Sequence, residues 1–420
     1  MAYPVKYIHS DMPGAPVITN GWGDLVTMLD AVLVNGFNLT QLDNITAADG
    51  ICTATSSVGH QFVPGQILAL DGANESAFNT EVKVIEAPTP NTFTFAAPDG
   101  APATATTAAT LQAKVAPLGW ECPFSEGYKR AYRSKNPKSN RHFLRIDNSD
   151  LTQDGYGENW ARWARVGMVE HMTGIDEMSG LQAPFDASST SKNWEKTGTY
   201  NYGWFKWRYS KKIGAETKGN LGSKKIDWRV VGDDFFFHLL VYAESYINYG
   251  FQRQGYAFGD TSVASDGYNT LLIASEVKDS YWAGESNIGQ VTGGGFASDT
   301  DTGIGKTIFQ ESGDGSTYLR LIAPYHLGYA SGNNVNAKIK EEIAILPIHV
   351  FDGDHRVRGA APGVYFVIGS FPANTTQDKT IMRYMINGEE REILFLSSSS
   401  SSSSGSGLAV LAFDITGPWR

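Results

Sequence analysis

Short runs in which apolar side chains recur at every second position dominate this chain. Segments 51–55, 66–70, 81–86 and 92–95 have the two-residue repeat of half-buried strands. Pro64-Gly65, Asp71-Gly72, Thr89-Pro90-Asn91 and Asp99-Gly100 separate them with turn residues. Strands so spaced predict a small barrel or sandwich. Beyond residue 115, segments 141–146, 226–231, 235–242, 269–274, 343–348, 364–368, 393–396 and 408–413 are rich in β-branched and aromatic residues and read as further strands. Segment 159–168, with its Trp, Val and Arg residues, fits a half-buried strand better than a helix.

One segment has the helical repeat. Leu25, Met28, Leu29, Val32 and Leu33 fall on one face, Asp24 suits the first turn, and Gly36 marks the stop. The pattern predicts a helix of about three turns, packed by that face. A composition shift to Ala, Thr and Val then divides the chain. Residues 1–37 and 115–420 form a β-sandwich or barrel-like body, and 38–114 an inserted small β module. The fold class is mainly β. Long Gly/Ser/Asp connections at 176–200 and 283–316 read as surface loops. The eight serines at 397–404 read as the tip of a hairpin joining 393–396 to 408–413.

The 420 residues are 41% hydrophobic and 12% aromatic but only 19% charged. Enough large side chains are present for real cores, so global disorder is excluded, and so few charges exclude a coiled coil. No run approaches the roughly 18 apolar residues of a membrane helix, and the N-terminus lacks a charged-then-apolar leader pattern, so membrane insertion is not expected. Cys52 and Cys122 lie far apart with no His or Cys at metal spacing and read as buried free thiols.

The formal net charge of −10 is uneven. Residues 1–115 carry 3 basic and 10 acidic side chains, 116–230 carry 19 and 13, and 231–420 carry 12 and 21. Only the middle third is basic. There, Lys129, Arg130, Tyr132 and Arg133, and then Trp204, Lys206, Trp207 and Arg208, interleave cations with aromatics, a composition suited to stacking bases and neutralising phosphates. The second run also alternates like a two-faced strand, and an acidic chain repels polyanions at long range. Contact with acidic protein neighbours is the preferred reading, and no nucleic-acid partner is expected.

Motifs for catalysis fail on inspection. Gly303-Ile304-Gly305-Lys306-Thr307 resembles the end of a phosphate loop, but Thr300 stands where that loop needs glycine, so a turn is expected. As a calcium loop starting at Asp299, the segment has Ile304 at the glycine position and Gln310 at the bidentate-glutamate position. Asp352-Gly353-Asp354-His355 lacks further ligands nearby. Asp233-Asp234 and Glu341-Glu342 are adjacent, so on strands their side chains point to opposite faces. No catalytic residue, metal ligand or cofactor is nominated, and the chain reads as a non-enzyme.

Several stretches, in order, resemble virion structural proteins of tailed bacteriophages. They are the opening residues 1–17 with the following helix, Gly119-Trp120 through 123–125 to 129–133, 144–147, 231–234, 258–260, 358–365 and the ending 413–420. Residues 60–110 separately resemble small β-barrel modules inserted in such proteins, through Gly65-Gln66-Ile67, Gly72-Ala73, Phe78-Asn79, Val82 and 92–95, with Thr80 where the pattern carries glycine. The resemblance implies a tail or baseplate component that assembles with other virion proteins and with copies of itself. It implies residence in the virion after assembly in the host bacterial cytoplasm. The alternatives are a tail-tip module binding a host-surface glycan or receptor, and a head decoration protein. The matched glycines 119, 232, 259, 359 and 363 suit positive φ. Trp419 and Arg420 at the end of the chain join the two basic aromatic runs as candidate subunit contacts.

Overall fold

The computed structural model describes residues 4–19, 21–102, 109–149, 163–183, 196–197, 201–202, 205–209, 212–213, 225–245, 251–261, 269–274, 304–307, 320–322, 344–351, 357–368, 379–397 and 410–419. The fold is mainly β, with four large sheets, one α-helix and a single 3-10 turn at Ser76–Phe78 among these residues.

A central sheet orders Lys6–His9, Trp228–Gly232, Phe236–Ser245, Phe251–Asp260, Thr270–Ala274 and Ile304–Thr307, with Lys212–Ile213 pairing in parallel to the third strand. Trp228–Gly232 and Thr270–Ala274 are buried at every residue. Unbroken apolar runs here reflect burial of both faces. On one face Val231, Phe236, Leu240, Ala257, Leu271 and Ile273 share a core with the C-terminal sheet. On the other, Val230, Phe237, Leu239, Tyr256 and Phe258 meet the helix and a third sheet.

That third sheet, termed basic here, orders Glu177–Ala183, Trp163–Gly174, Phe143–Asp147, Lys129–Ser134 and Trp120–Glu126, with Phe205–Arg208 also on Trp163–Gly174. The C-terminal sheet orders Arg320–Ile322, Ala344–Phe351, Val357–Ile368, Val410–Asp414, Glu389–Ser397 and Thr380–Ile386. The fourth sheet draws all seven of its strands from Phe37–Gln41 to Gln112–Val115 and is termed the module sheet. Phe78, Phe93, Phe95, Leu68 and Val84 fill its interior.

The helix runs from Asp24 to Leu29 and continues as a wider turn over Asp30–Asn35, where Gly36 N donates to Ala31 O at 2.7 Å. This π-type widening was not foreseen; the helix and its glycine stop were. Val26 is buried beside the expected face, so the helix is enclosed more widely than one stripe. Asp24 acts chiefly as a loop hub, accepting from Thr19 N and Oγ1 at 2.7 Å and from Gly21 N at 3.3 Å.

Several local expectations need correcting. Residues 177–183 form a strand paired with Trp163–Gly174 rather than loop, and 304–307 form a strand on Thr270–Ala274 rather than a turn. Neither has an apolar run to announce it, so pairing with a strong neighbour decides. Gly232 does not adopt positive φ; a Cβ there would lie 2.6 Å from Phe237 Cβ, so close packing selects glycine. Cys52 is a buried free thiol and Cys122 a half-buried one, and burial pushes the Cys122 thiol up to about 11. The chain does pair 389–397 with 410–414, as the hairpin reading required. The serine tip after Ser397, Asp352-Gly353-Asp354-His355, Glu341-Glu342 and, apart from the strand Lys196–Thr197, the rest of the two long loops lie outside the described residues.

Candidate assembly surface

The basic run 129–133 lies on a sheet strand with acidic side chains of the same chain around it. Arg130 Nε contacts both oxygens of Asp30 on the helix, at 2.9 and 3.1 Å, and the Tyr132 hydroxyl donates to Asp30 Oδ1 at 2.7 Å. Burial, and then Asp30, push the Tyr132 hydroxyl far above its ordinary value. Arg133 Nε and Arg141 Nη2 converge on Glu121 Oε1 at 2.5 and 2.7 Å. Lys129 and Arg145 both hold Asp176, and Arg165 Nη2 reaches Asp147 Oδ2 at 3.0 Å. Burial pulls Arg145 down to about 10 against Asp176 and Asp147. Against the upward push of burial, these cations hold Glu121, Asp147 and Asp176 below the usual carboxylate range.

The nominated contact residues therefore divide. Lys129, Arg130 and Arg133 are partly exposed and already paired within the chain. Tyr132 and Trp207 are fully buried, which corrects their assignment to an outer surface. Trp207 stacks on Tyr256 at 5.6 Å and donates Nε1–H to Ile273 O at 3.0 Å, joining basic and central sheets. Lys206 and Arg208 lie on the strand Phe205–Arg208, and their side chains, with Trp204 and Arg420, are outside the described residues. Trp419 is no free docking tail. Its indole donates to Asp414 O at 2.9 Å and covers Gly363, where a Cβ would lie 1.9 Å from Trp419 Cε2.

A second polar cluster ties the basic and central sheets. Asp260 accepts from Ser139 Oγ and Asn140 N at 2.8 Å and from Thr270 Oγ1 at 2.7 Å. Thr270 Oγ1, its hydrogen thus committed, accepts from His142 Nδ1 at 2.8 Å. Burial holds His142 below its ordinary value against the opposing pull of Asp260 and Glu170. These groups are mutually satisfied and span two sheets, which suits a joint.

One outward region was missed in the sequence. The hairpin Thr380–Ile386/Glu389–Ser397 exposes Ile381 (52%), Met382 and Met385 (70%). Its Asn387-Gly388 turn, with φ of 53° and 83°, was a legible hairpin signal. In the module, Val58 is 76% exposed on a loop fixed from several sides. Ser56 N donates to Asn91 O at 2.8 Å, Asn91 Nδ2 to Ser56 O at 2.6 Å, and Ser57 N to Asp43 Oδ2 at 2.6 Å. Ion pairs Lys6–Glu81 at 3.0 Å and Lys83–Glu392 at 3.7 Å fasten the module to the central and C-terminal sheets.

Among the described residues no cluster of His, Cys, Asp and Glu could hold a metal ion, and no helix is long and apolar enough to cross a membrane. No family model matches the chain, and no curated protein matches it. Among solved structures, the phage phi92 endosialidase is similar over 91% of this chain and 70% of its own, at 9% identity and a TM-score of 0.18. A likeness at that level carries no argument about fold or activity.

Proposed function

We propose that this chain is a non-catalytic structural component of a tailed-phage particle, in the tail or baseplate, working by protein–protein assembly with other virion proteins and copies of itself. The ordered stretches that resemble such proteins motivate the reading. The observation that carries it is the contrast between cations matched inside the body and large apolar side chains presented outward on a hairpin and on module loops. The contact surface is assigned to Ile381, Met382 and Met385. Purified particles examined by quantitative mass spectrometry should contain the chain in multiples of three or six. Its absence from particles would overturn the reading.

The fixed Ser56–Val58 loop favours a second reading, host-surface binding by the module. A loop held in one conformation loses little entropy on binding. Deleting residues 40–112 should then abolish cell binding by the labelled protein while particles still form. Unchanged cell binding would remove this second reading.

A further inference from the structure

His238 lies in mid-strand of the central sheet, between Val231 and Ala257 on neighbouring strands, on the face that packs against the C-terminal sheet. Its side chain is fully buried, with ring centroids of Phe236 at 5.0 Å, Phe413 at 5.4 Å and Trp419 at 5.8 Å. Nε2 is 2.7 Å from the Pro362 carbonyl oxygen. A carbonyl only accepts, so Nε2 carries the hydrogen and Nδ1 is a bare lone pair. Nδ1 is buried without a hydrogen-bond partner.

Among the described residues, no hydrogen-bond acceptor reaches His238 Nδ1. Tyr7 stands one strand beyond Val231 in the same cross-strand row, and His349 belongs to a neighbouring strand of the C-terminal sheet. Asp414 is committed elsewhere: Oδ1 accepts from Thr416 N at 2.8 Å and Gly417 N at 3.2 Å, and Oδ2 from Arg391 Nη1 at 3.2 Å. Burial dominates, holding His238 down to about 4 despite the Pro362 carbonyl.

We propose that His238 is an acid-sensitive latch between the central sheet and segment 410–419. A proton taken from solvent at Nδ1 creates a buried charge with no acceptor, and the chain relieves it by unseating segment 410–419, Trp419 included, from the central sheet. Only hydrogen bonds and packing change. The inference does not rest on the assembly reading.

Hydrogen exchange on the full chain, corrected for intrinsic rates, tests this. From pH 7 to pH 5 the opening of 410–419 should rise about 20-fold, the effect of one histidine held from about 6.5 to about 4. His238→Gln keeps an N–H for Pro362 but takes up no proton there, so its opening should change less than about 3-fold, roughly the scatter expected of unrelated groups. An equal rise in the variant, or none in the unmodified protein, would overturn the latch. Should His238→Gln not fold, the exchange of His238 Cε1–H in the unmodified chain decides. A midpoint below pH 5 that tracks the opening supports the latch; a midpoint near 6.5, with 410–419 still protected, contradicts it.

Discussion

In the module, Asp49, Asp71 and Asp99 stand exposed at strand ends and turns and Glu86 within a strand, whereas in the basic sheet Lys129, Arg130, Arg133, Arg145 and Arg165 each close on a carboxylate of their own chain. Counted along the sequence, the first third is acidic and only the middle third is basic. These module carboxylates face solvent, whereas the basic-sheet cations, though some are partly exposed, are each paired. The basic sheet uses its cations to join strands to one another and to the helix, so its positive count says little about an external partner. A charge is worth little on a surface and becomes costly to disturb once it is buried and paired.

Substitutions should expose this difference as a graded series. Arg145 is buried and holds Asp176 together with the Ile175 carbonyl, so Arg145→Ala should lower unfolding stability by about 3 kcal/mol, read by urea titration. A loss under about 1 kcal/mol would return this pair to the surface class. Asp147→Asn should cost about 2 kcal/mol at pH 7, because it leaves Arg165 and Arg145 without that charge. The folded Asp147 carboxyl lies below its ordinary value, so its stabilisation is present above about pH 4 and fades as pH falls further. The gap between the two proteins should therefore close in urea titrations near pH 2 to 3. Lys6→Met removes a cation that is nearly buried, whose partner Glu81 is partly exposed, and should cost about 1 kcal/mol. In the module, the combined Asp49→Asn, Asp71→Asn and Glu86→Gln changes should stay within about 0.5 kcal/mol per site by thermal unfolding, despite removing three charges.

The sequence was most informative where one face of an element met a core. The strands at 51–55 and 92–95 alternate because one side of each is buried, and the helix stops at Gly36 because the chain turns there with φ of 72°. Strands 177–183 and 304–307 were hidden because partners define them more than their own residues do. The candidate surface was less legible. Tyr132 and Trp207 have the composition of contact residues, but an aromatic beside an arginine is equally suited to an internal joint, and sequence spacing alone does not distinguish Asp30 from a neighbour's carboxylate as the partner of Arg130. Ile381 and Met385 could have been found: they alternate ahead of Asn387-Gly388 with Arg383 between them, a pattern that leaves apolar side chains on the same face as a charge.

Hydroxyl-radical footprinting of Met385 in purified particles and in the free chain tests assembly through the C-terminal hairpin most directly. Methionine oxidises readily, and this one is 70% exposed in the isolated chain. Assembly through the hairpin should reduce Met385 oxidation at least fivefold in particles and leave the already buried Met168 unchanged. Equal oxidation of Met385 in both states would contradict it.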